Sequence, residues 1–558
     1  MDSSKNWYSD ENGVYKSTFS PVDLPKDPFL DATSFLLSHK HHGTTALIDS
    51  STGFSISYTQ LPHMVKSIAS GLHEIGVSQG QVVLMLLPNM AYFPVIFLSI
   101  ISAGAIATPM NPLSTFNEIM KQIKYCNVVL AFTVSEYLGK LEKAGIPVVL
   151  VREHEEKSSH FVRGKEEKIS CSGSSKVVSF DWVLSCDPIH ATRPRINQND
   201  IAVLLNSSGT SGPSKVVAIT HRNLISTVEL FVRFEASLCE NEYMGWETVY
   251  LDVIPMFHIY GLVLLASGLL SLGSKIVIMH KFDEREMARC ISGYGVTHIP
   301  AVPSLVVSLT KIGKMDNYSF RSLKQVVSGA APLSKKSIDE FLKVFPHVEL
   351  GQGYGMTETT AVGFRGTTNA KVKKYSSVGL LAPNMEAKVV DSAQGSCLPP
   401  GETGELWLRG PGIMKEYFNS HTATLSTIDK EGWLHTGDIV YFDKDGYLYI
   451  VDRLKDIIKC NGFQVAPADL DAILILHPQI LDAAVAGIPN EQTGEIPVAF
   501  VKRSIGSNLS EADVIDFVAA QVAPYKKVRK VVFVNSIPRS TAGKVLRKKL
   551  RVSCVSKY

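Results

Sequence analysis

The sequence predicts an α/β protein built on mainly parallel sheets and ending in a small α+β unit. Three observations carry this expectation. Short apolar runs alternate with amphipathic stretches of helical period along most of the chain, the pattern of strands joined by crossover helices. After about residue 380 the texture changes to short β runs with frequent turns. A last compact stretch then carries helical and strand patterns of its own, which places a boundary near Asp452–Lys455 and a cleft between two bodies able to move relative to each other.

The elements follow in order. "QVVLMLLP" (81–88), "IAVLLN" (201–206), "SKIVIMH" (274–280) and "LKQVVSG" (323–329) read as buried strands. "YTQLPHMVKSIASGLHEIG" (58–76) and "SKKSIDEFLKVF" (334–345) read as helices with one apolar face. The most membrane-like stretch, residues 92–109, carries Pro94, Ser99, Ser102, Gly104 and Pro109 and is read as a helix inside a large core. Residues 152–176 hold too few apolar side chains for a core and read as an exposed insertion. Beyond residue 380 come "AKVVD", "GELWLRG" and "GYLYIVDR", then "APADLDAILILH" (466–477), "DAAVAGIP" (482–489) and "EADVIDFVAAQV" (511–522).

Composition narrows the function. The 558 residues are 45% hydrophobic and 20% charged, ordinary for a globular protein of several domain-sized units. A net charge of +3 is too small at this length to argue for nucleic acid or an anionic membrane. Eight cysteines are scattered without a Cys-x-x-Cys pair, so neither a zinc site nor a disulfide framework is expected, and a reducing compartment is. The opening "MDSSKNWYSDENGVYKS" is polar throughout, unlike a secretory signal, and the chain is expected to be soluble. The final Ser-Lys-Tyr is close to the Ser-Lys-Leu peroxisomal address, although Tyr558 departs from it; a frayed basic tail in a cytoplasmic protein is the other reading.

One loop suggests chemistry. "NSSGTSGPSKVVAIT" (206–220) sets small hydroxyls, two glycines and Lys215 between two apolar runs. Close backbone approach, exposed N–H groups and a mobile cation suit a polyphosphate, while a flexible hairpin turn stays open. It is not a Walker loop, because it enters a strand rather than a helix and must hold phosphate through its own donors. "QGYGMTE" (352–358) offers an accessible ring at Tyr354 beside the hydroxyl of Thr357 and the carboxylate of Glu358, a hard-oxygen set suited to Mg²⁺–nucleotide. "HTGD" (435–438) and "DRLKDIIK" (452–459) can serve ribose recognition by an aspartate and an arginine, although each alone is more commonly an ordinary turn or helix start. In "IPRSTAGKVLRKKL" (537–550) Lys544 sits on a turn from which it can reach into the cleft; a solvated charge is the alternative.

With these residues the chain resembles the acyl-adenylate-forming superfamily, and within it the plant 4-coumarate–CoA ligases and their ligase-like relatives. The resemblance spans nearly the whole chain through "SSGTSGPSK", "PMFHIYG" (255–261), "SGAAPL" (328–333), "QGYGMTE", "GELWLRGPG" (404–412), "HTGD", "DRLKDIIKCNGFQVAPADL" (452–470) and "STAGKVLRK", all in order. It implies a large multi-layered N-terminal adenylation domain (1–453) and a small mobile α+β lid (454–558) hinged near Lys455. It also implies an AMP-forming acid–CoA ligase using MgATP and coenzyme A.

The resemblance assigns roles residue by residue. Ser207, Ser208, Gly209, Thr210, Ser211 and Lys215 would cradle pyrophosphate, and Thr357 would touch phosphate with Glu358 on magnesium. Gly329, Ala330 and Ala331 with Gln352, Gly353 and Tyr354 would frame adenine, and Asp438 and Arg453 would hold ribose. Lys544 would bridge the substrate carboxylate and the α-phosphate. Lys459, Gly462 and Gln464 would replace it for thioester formation. His258 would gate the acyl pocket from the CoA tunnel, with Lys281 and Asn461 toward CoA. The acyl pocket would comprise Tyr260, Leu264, Gly329, Ala330, Gly353, Gly355, Met356, Ala361 and Val362. Among the departures from the pattern, Val216 stands where glycine is typical, the loop's proline is displaced to 213, and Asn461 stands where lysine is usual.

Leu264, where hydroxycinnamate enzymes usually place serine, favours an apolar acid by about 1 kcal/mol or more. The expected substrate is therefore a medium-chain, branched or otherwise apolar acid. A true hydroxycinnamate ligase, a luciferase-like oxidation and a non-catalytic binding protein of the same fold are the alternatives.

Overall fold

The computed structural model describes residues 7–152, 169–172, 175–188, 194–207, 215–243, 247–315, 317–366, 373–460, 463–490, 494–522, 526–540 and 543–555. Two nine-stranded sheets dominate. In the first, Ile106–Pro109, Val82–Leu86, Val128–Val134 and Val148–Val151 run parallel, extended at one end by Ile201–Ser207 and antiparallel Lys215–Thr220. Strands such as Val82–Leu86 are apolar at every position and buried throughout, as sheets covered on both faces require.

The second sheet orders Leu380–Leu381, Phe364–Arg365, Glu349–Tyr354, Gln325–Ser328, His298–Ala301, Val249–Asp252, Lys275–Ile278, Thr45–Asp49 and Ser55–Ser57, again with a parallel centre. A six-stranded antiparallel sheet follows, ending in the paired strands Leu434–Phe442 and Leu448–Arg453. The C-terminal part forms its own five-stranded sheet around Ile480–Asn490 and Gly494–Arg503. Its core, around Ile458, Leu470, Val485, Val501 and Val514, is separate from that of the N-terminal part.

The expected parallel α/β architecture with a small C-terminal α+β unit is what the chain adopts. Two local expectations are corrected. Residues 92–109 are not one helix: helix Tyr92–Ser102 is buried along nearly its whole length, then Gly104 at φ +72° turns the chain into strand Ile106–Pro109. Ser99 is tolerated there because its Oγ donates to the Val95 carbonyl at 2.6 Å. The polar insertion also ends earlier than expected, since Ile169–Ser172 and Ser175–Ser179 add two strands to the first sheet. Its residues 153–168 lie outside the described residues. Among the described residues no helix is long and apolar enough to cross a membrane.

Candidate active site

The site is assembled where three sheets present loops to one another. Strand Glu349–Tyr354 ends in a tight loop containing the short 3-10 turn Thr357–Thr359, with Thr360 and Ala361 both in left-handed conformations at φ 52° and 64°. A Cβ at Gly355 would stand 2.4 Å from the Ala361 carbonyl oxygen, so the loop requires glycine there. This bend buries Thr357 and Glu358 and fixes their direction.

Glu358 Oε1 accepts a 2.9 Å hydrogen bond from Tyr417 Oη, and its main-chain oxygen accepts from Met414 N–H at 2.8 Å. Lys215 Nζ lies 4.3 Å from the centroid of the same Tyr417 ring. Burial, with the Glu358 charge next, holds the Tyr417 phenol firmly protonated. Lys215 opens its strand opposite Ser207. Ser208, Gly209, Thr210 and Ser211, on the loop between, lie outside the described residues. Val216 is buried in the ladder, where its carbonyl accepts from Phe418 N–H at 2.8 Å.

A second cluster forms at the end of the six-stranded sheet, where Asp438 and Arg453 are cross-strand partners. Tyr354 Oη donates to Asp438 Oδ2 at 2.6 Å, and Arg453 Nε pairs with Asp438 Oδ1. Arg453 also lies in the field of Glu358, which joins the two clusters. Lys544 arrives from the C-terminal unit on a turn closed by Ser540 N–H to the Lys544 carbonyl at 2.7 Å, with Gly543 at φ +79°. A Cβ at Gly543 would lie 4.0 Å from Ser304 Oγ, which places this turn against the large unit. Burial and then the Arg453 charge push the Lys544 ammonium down to about 8, with Asp438 opposing.

Glycines open a trough on the second sheet. Register puts Gln325, Val327 and the following Gly329 on the face shared by Glu349, Gly351 and Gly353. Tyr260 lies over this face, its hydroxyl donating to the Val327 carbonyl at 3.2 Å, and a Cβ at Gly329 would come within 3.3 Å of its ring. Leu264 and Val362 are buried, and Met356 and Ala361 belong to the loop that follows strand Glu349–Tyr354. Ala330 takes φ 68° just past the strand and Ala331 follows it. Gln352 is committed to scaffolding: its amide accepts from Leu333 N–H at 2.8 Å and donates to the Tyr375 carbonyl at 2.6 Å. His258 precedes helix Ile259–Leu264, and burial lowers its pKa, favouring a neutral ring.

Lys281 is exposed ahead of helix Glu284–Tyr294, and Lys455 is exposed on the turn after Arg453. Lys459 and Gln464 are register partners in a hairpin of the C-terminal sheet. Asn461 and Gly462 lie outside the described residues. Sequence reasoning missed Tyr417, Val327 and Gly351. Tyr417 lies just past "GELWLRGPG" in a stretch with no chemical signature of its own, whereas the alternation in "QVVSG" and "ELGQGY" already put Val327 and Gly351 on the face of the expected pocket.

The AMP-binding enzyme family matches residues 37–418, and the AMP-binding enzyme C-terminal domain matches residues 469–544. The chain is 56% identical to 4-coumarate–CoA ligase-like 6 of Arabidopsis thaliana over 98% of its own length and 94% of that protein. It is 44% identical to peroxisomal OPC-8:0-CoA ligase 1 of the same plant, covering 98% and 97%. In fold it is similar to ATP-bound MatB of Rhodopseudomonas palustris, with a TM-score of 0.82 at 23% identity over 95% of this chain and 100% of that one. The chain therefore belongs to the AMP-binding enzyme family, in its acyl-adenylate-forming, 4-coumarate–CoA ligase-like branch, and is an ATP-dependent acid–CoA ligase.

Proposed function

We propose that the site activates a medium-chain, branched or otherwise apolar carboxylic acid as its adenylate and passes the acyl group to coenzyme A. One observation carries this reading: Lys215, Glu358, Asp438, Arg453 and Lys544, from separate segments, form one electrostatically linked group. Lys215, Arg453 and Lys544 bring three cations to this group, which suits a polyphosphate.

In the first half-reaction a carboxylate oxygen bonds to the α-phosphorus of ATP while the bond to the bridging oxygen breaks and pyrophosphate leaves. Residues 207–211 and Lys215 hold the departing phosphates. Lys544 neutralises charge between carboxylate and α-phosphate, where a positioned cation stabilises the transition state. Gly329–Ala331 with Gln352–Tyr354 border the adenine, and Asp438, its two oxygens already oriented by Tyr354 and Arg453, accepts from ribose.

The donors around Glu358 fit magnesium. Among the described residues no group of three His, Cys, Asp or Glu side chains is placed to hold a metal, so the protein supplies one carboxylate beside the Thr357 hydroxyl. An ion that keeps waters and phosphate oxygens as its other ligands needs no more. Bound there, it would neutralise phosphate charge.

In the second half-reaction the small domain (454–558) turns about Lys455, withdrawing Lys544 and presenting Lys459, Gly462 and Gln464. The CoA thiolate attacks the acyl carbonyl and AMP leaves. His258 gates the thiol's approach, Lys281 meets CoA phosphates, and Asn461 makes a weaker contact than lysine would. Leu264, Val327 and the glycine trough support an apolar acid. The terminal Ser-Lys-Tyr, outside the described residues, is read by the peroxisomal import receptor.

ATP–pyrophosphate exchange over a panel of acids, with and without CoA, tests this reading. Medium-chain acids should support exchange and, with CoA, thioester formation. No exchange with any acid favours a binding protein, and exchange without thioester points to another acceptor. A kcat/KM for 4-coumarate far above every aliphatic acid refutes the pocket assignment.

A further inference from the structure

Arg365 occupies an unusual place beside the trough. It is the cross-strand partner of Gly353, so its side chain leaves the sheet on the face that Gly351 and Gly353 keep open. Its Nη1 pairs with Glu235, its Nη2 donates to Gln325 Oε1 at 3.4 Å, and its guanidinium lies 5.2 Å from the Phe231 ring. Its Nε–H is buried without an acceptor among the described residues. Both charges act on Tyr260, which covers the trough, so the pair stands at the end of the surface on which an acyl chain would lie.

The pair also borders a small cavity of about 30 Å³, lined otherwise by apolar groups including Leu230, Phe234, Leu380 and Pro383. A buried ion pair in such a wall is weak evidence for stability, because desolvation offsets most of its attraction. The pair instead adds one polar spot to an otherwise apolar wall, the arrangement by which pockets fix a ligand's orientation.

We propose that Arg365 and Glu235 read the far end of the acyl chain, so that the preferred acid has an apolar body and a carbonyl group near its distal terminus. This rests on the acyl-activating reading above and adds a specificity determinant to it. The unmet group is a donor, so it asks for an acceptor. Glu235 already balances the arginine charge, and a second carboxylate on the substrate would lie beside a like charge. A ketone satisfies Nε–H without that repulsion.

Pyrophosphate exchange with octanoic, 7-oxooctanoic and octanedioic acids tests the assignment. A hydrogen bond to a buried charged donor predicts a kcat/KM ratio of oxo acid to plain acid of ~10 or more. The diacid should fall below the oxo acid. In Arg365→Met/Glu235→Met, which removes both charges together, the ratio should approach one. Arg365→Lys, which keeps the charge but lacks Nε–H, should lower it too. A wild-type ratio near one, a diacid as good as the oxo acid, or a folded double variant that keeps the preference would each overturn the inference. The wild-type ratios decide even where a variant does not fold. Exchange with the plain acid alone refutes only this inference, whereas no exchange with any acid of the wider panel removes the acyl-activating reading beneath it.

Discussion

Tyr417 Oη donates a 2.9 Å hydrogen bond to Glu358 Oε1 while the face of the same ring lies 4.3 Å from Lys215 Nζ. One side chain thus spaces the cation assigned to pyrophosphate from the carboxylate assigned to magnesium. Tyr417→Phe keeps the ring beneath Lys215 and removes only the hydrogen bond to Glu358. Loss of a hydrogen bond to a charged group predicts a ~10-fold fall in adenylation kcat. The magnesium concentration for half-maximal exchange should rise as well. A fall in rate with an unchanged magnesium dependence would detach Tyr417 from the metal.

That relationship could not be read from the sequence, whereas its two partners could. Lys215 and Glu358 announce themselves because glycines and hydroxyls surround them. Tyr417 lies in "KEYFNS", a two-residue edge strand that reaches the site only by pairing with Val217 and Ala218. The sheet order was equally hidden: periodicity marks Val82–Leu86 as a buried strand, yet nothing local says that it lies between Ile106–Pro109 and Val128–Val134. Tertiary pairing decides such placements, as it does the Arg365–Glu235 contact, whose partners are 130 positions apart. Gln352 shows the opposite case, a motif residue whose amide is already occupied by two main-chain partners.

Lys544 should impose a pH limit on adenylation. Burial and the neighbouring Arg453 charge hold its ammonium near 8 in the free enzyme. The protonated form is the one that stabilises the carboxylate and α-phosphate, so kcat/KM for adenylation should fall as pH rises through about 8. At saturating ATP, whose charge raises the same pKa, the limb in kcat should move to higher pH. Lys544→Ala should abolish the limb and cripple adenylation while largely sparing thioester formation from supplied acyl-AMP. Equal losses in both half-reactions would contradict alternation of the small domain.

Asp438 serves stability as well as ribose recognition. It is 2% exposed, and it partners both Tyr354 Oη and Arg453 Nε. Asp438→Ala leaves the arginine without its nearest carboxylate and should cost about 3 kcal/mol, the scale for removing one partner of a buried pair. Asp438→Asn, which still accepts from one of the two, should cost less and raise the KM for ATP. Equal melting temperatures for wild type and Asp438→Ala would show that Arg453 is solvated well enough to need no partner.

Gly353 should set how far an acyl chain extends. Its position faces the open trough, and the nearest atom to an added Cβ is the Phe364 carbonyl oxygen at 3.4 Å, an ordinary contact. The backbone is not in the left-handed region, so a larger residue is accommodated without strain in its own conformation. Gly353→Val therefore puts branched methyl groups into space that the chain must cross to reach Arg365. Short acids that end before the trough should show only the loss, common to every acid, that crowding beside the adenine causes. Each methylene beyond that point should lose its favourable transfer, ~0.8 kcal/mol per group, so the penalty grows with length. A uniform loss across chain lengths, or none at all, would place the acyl chain elsewhere.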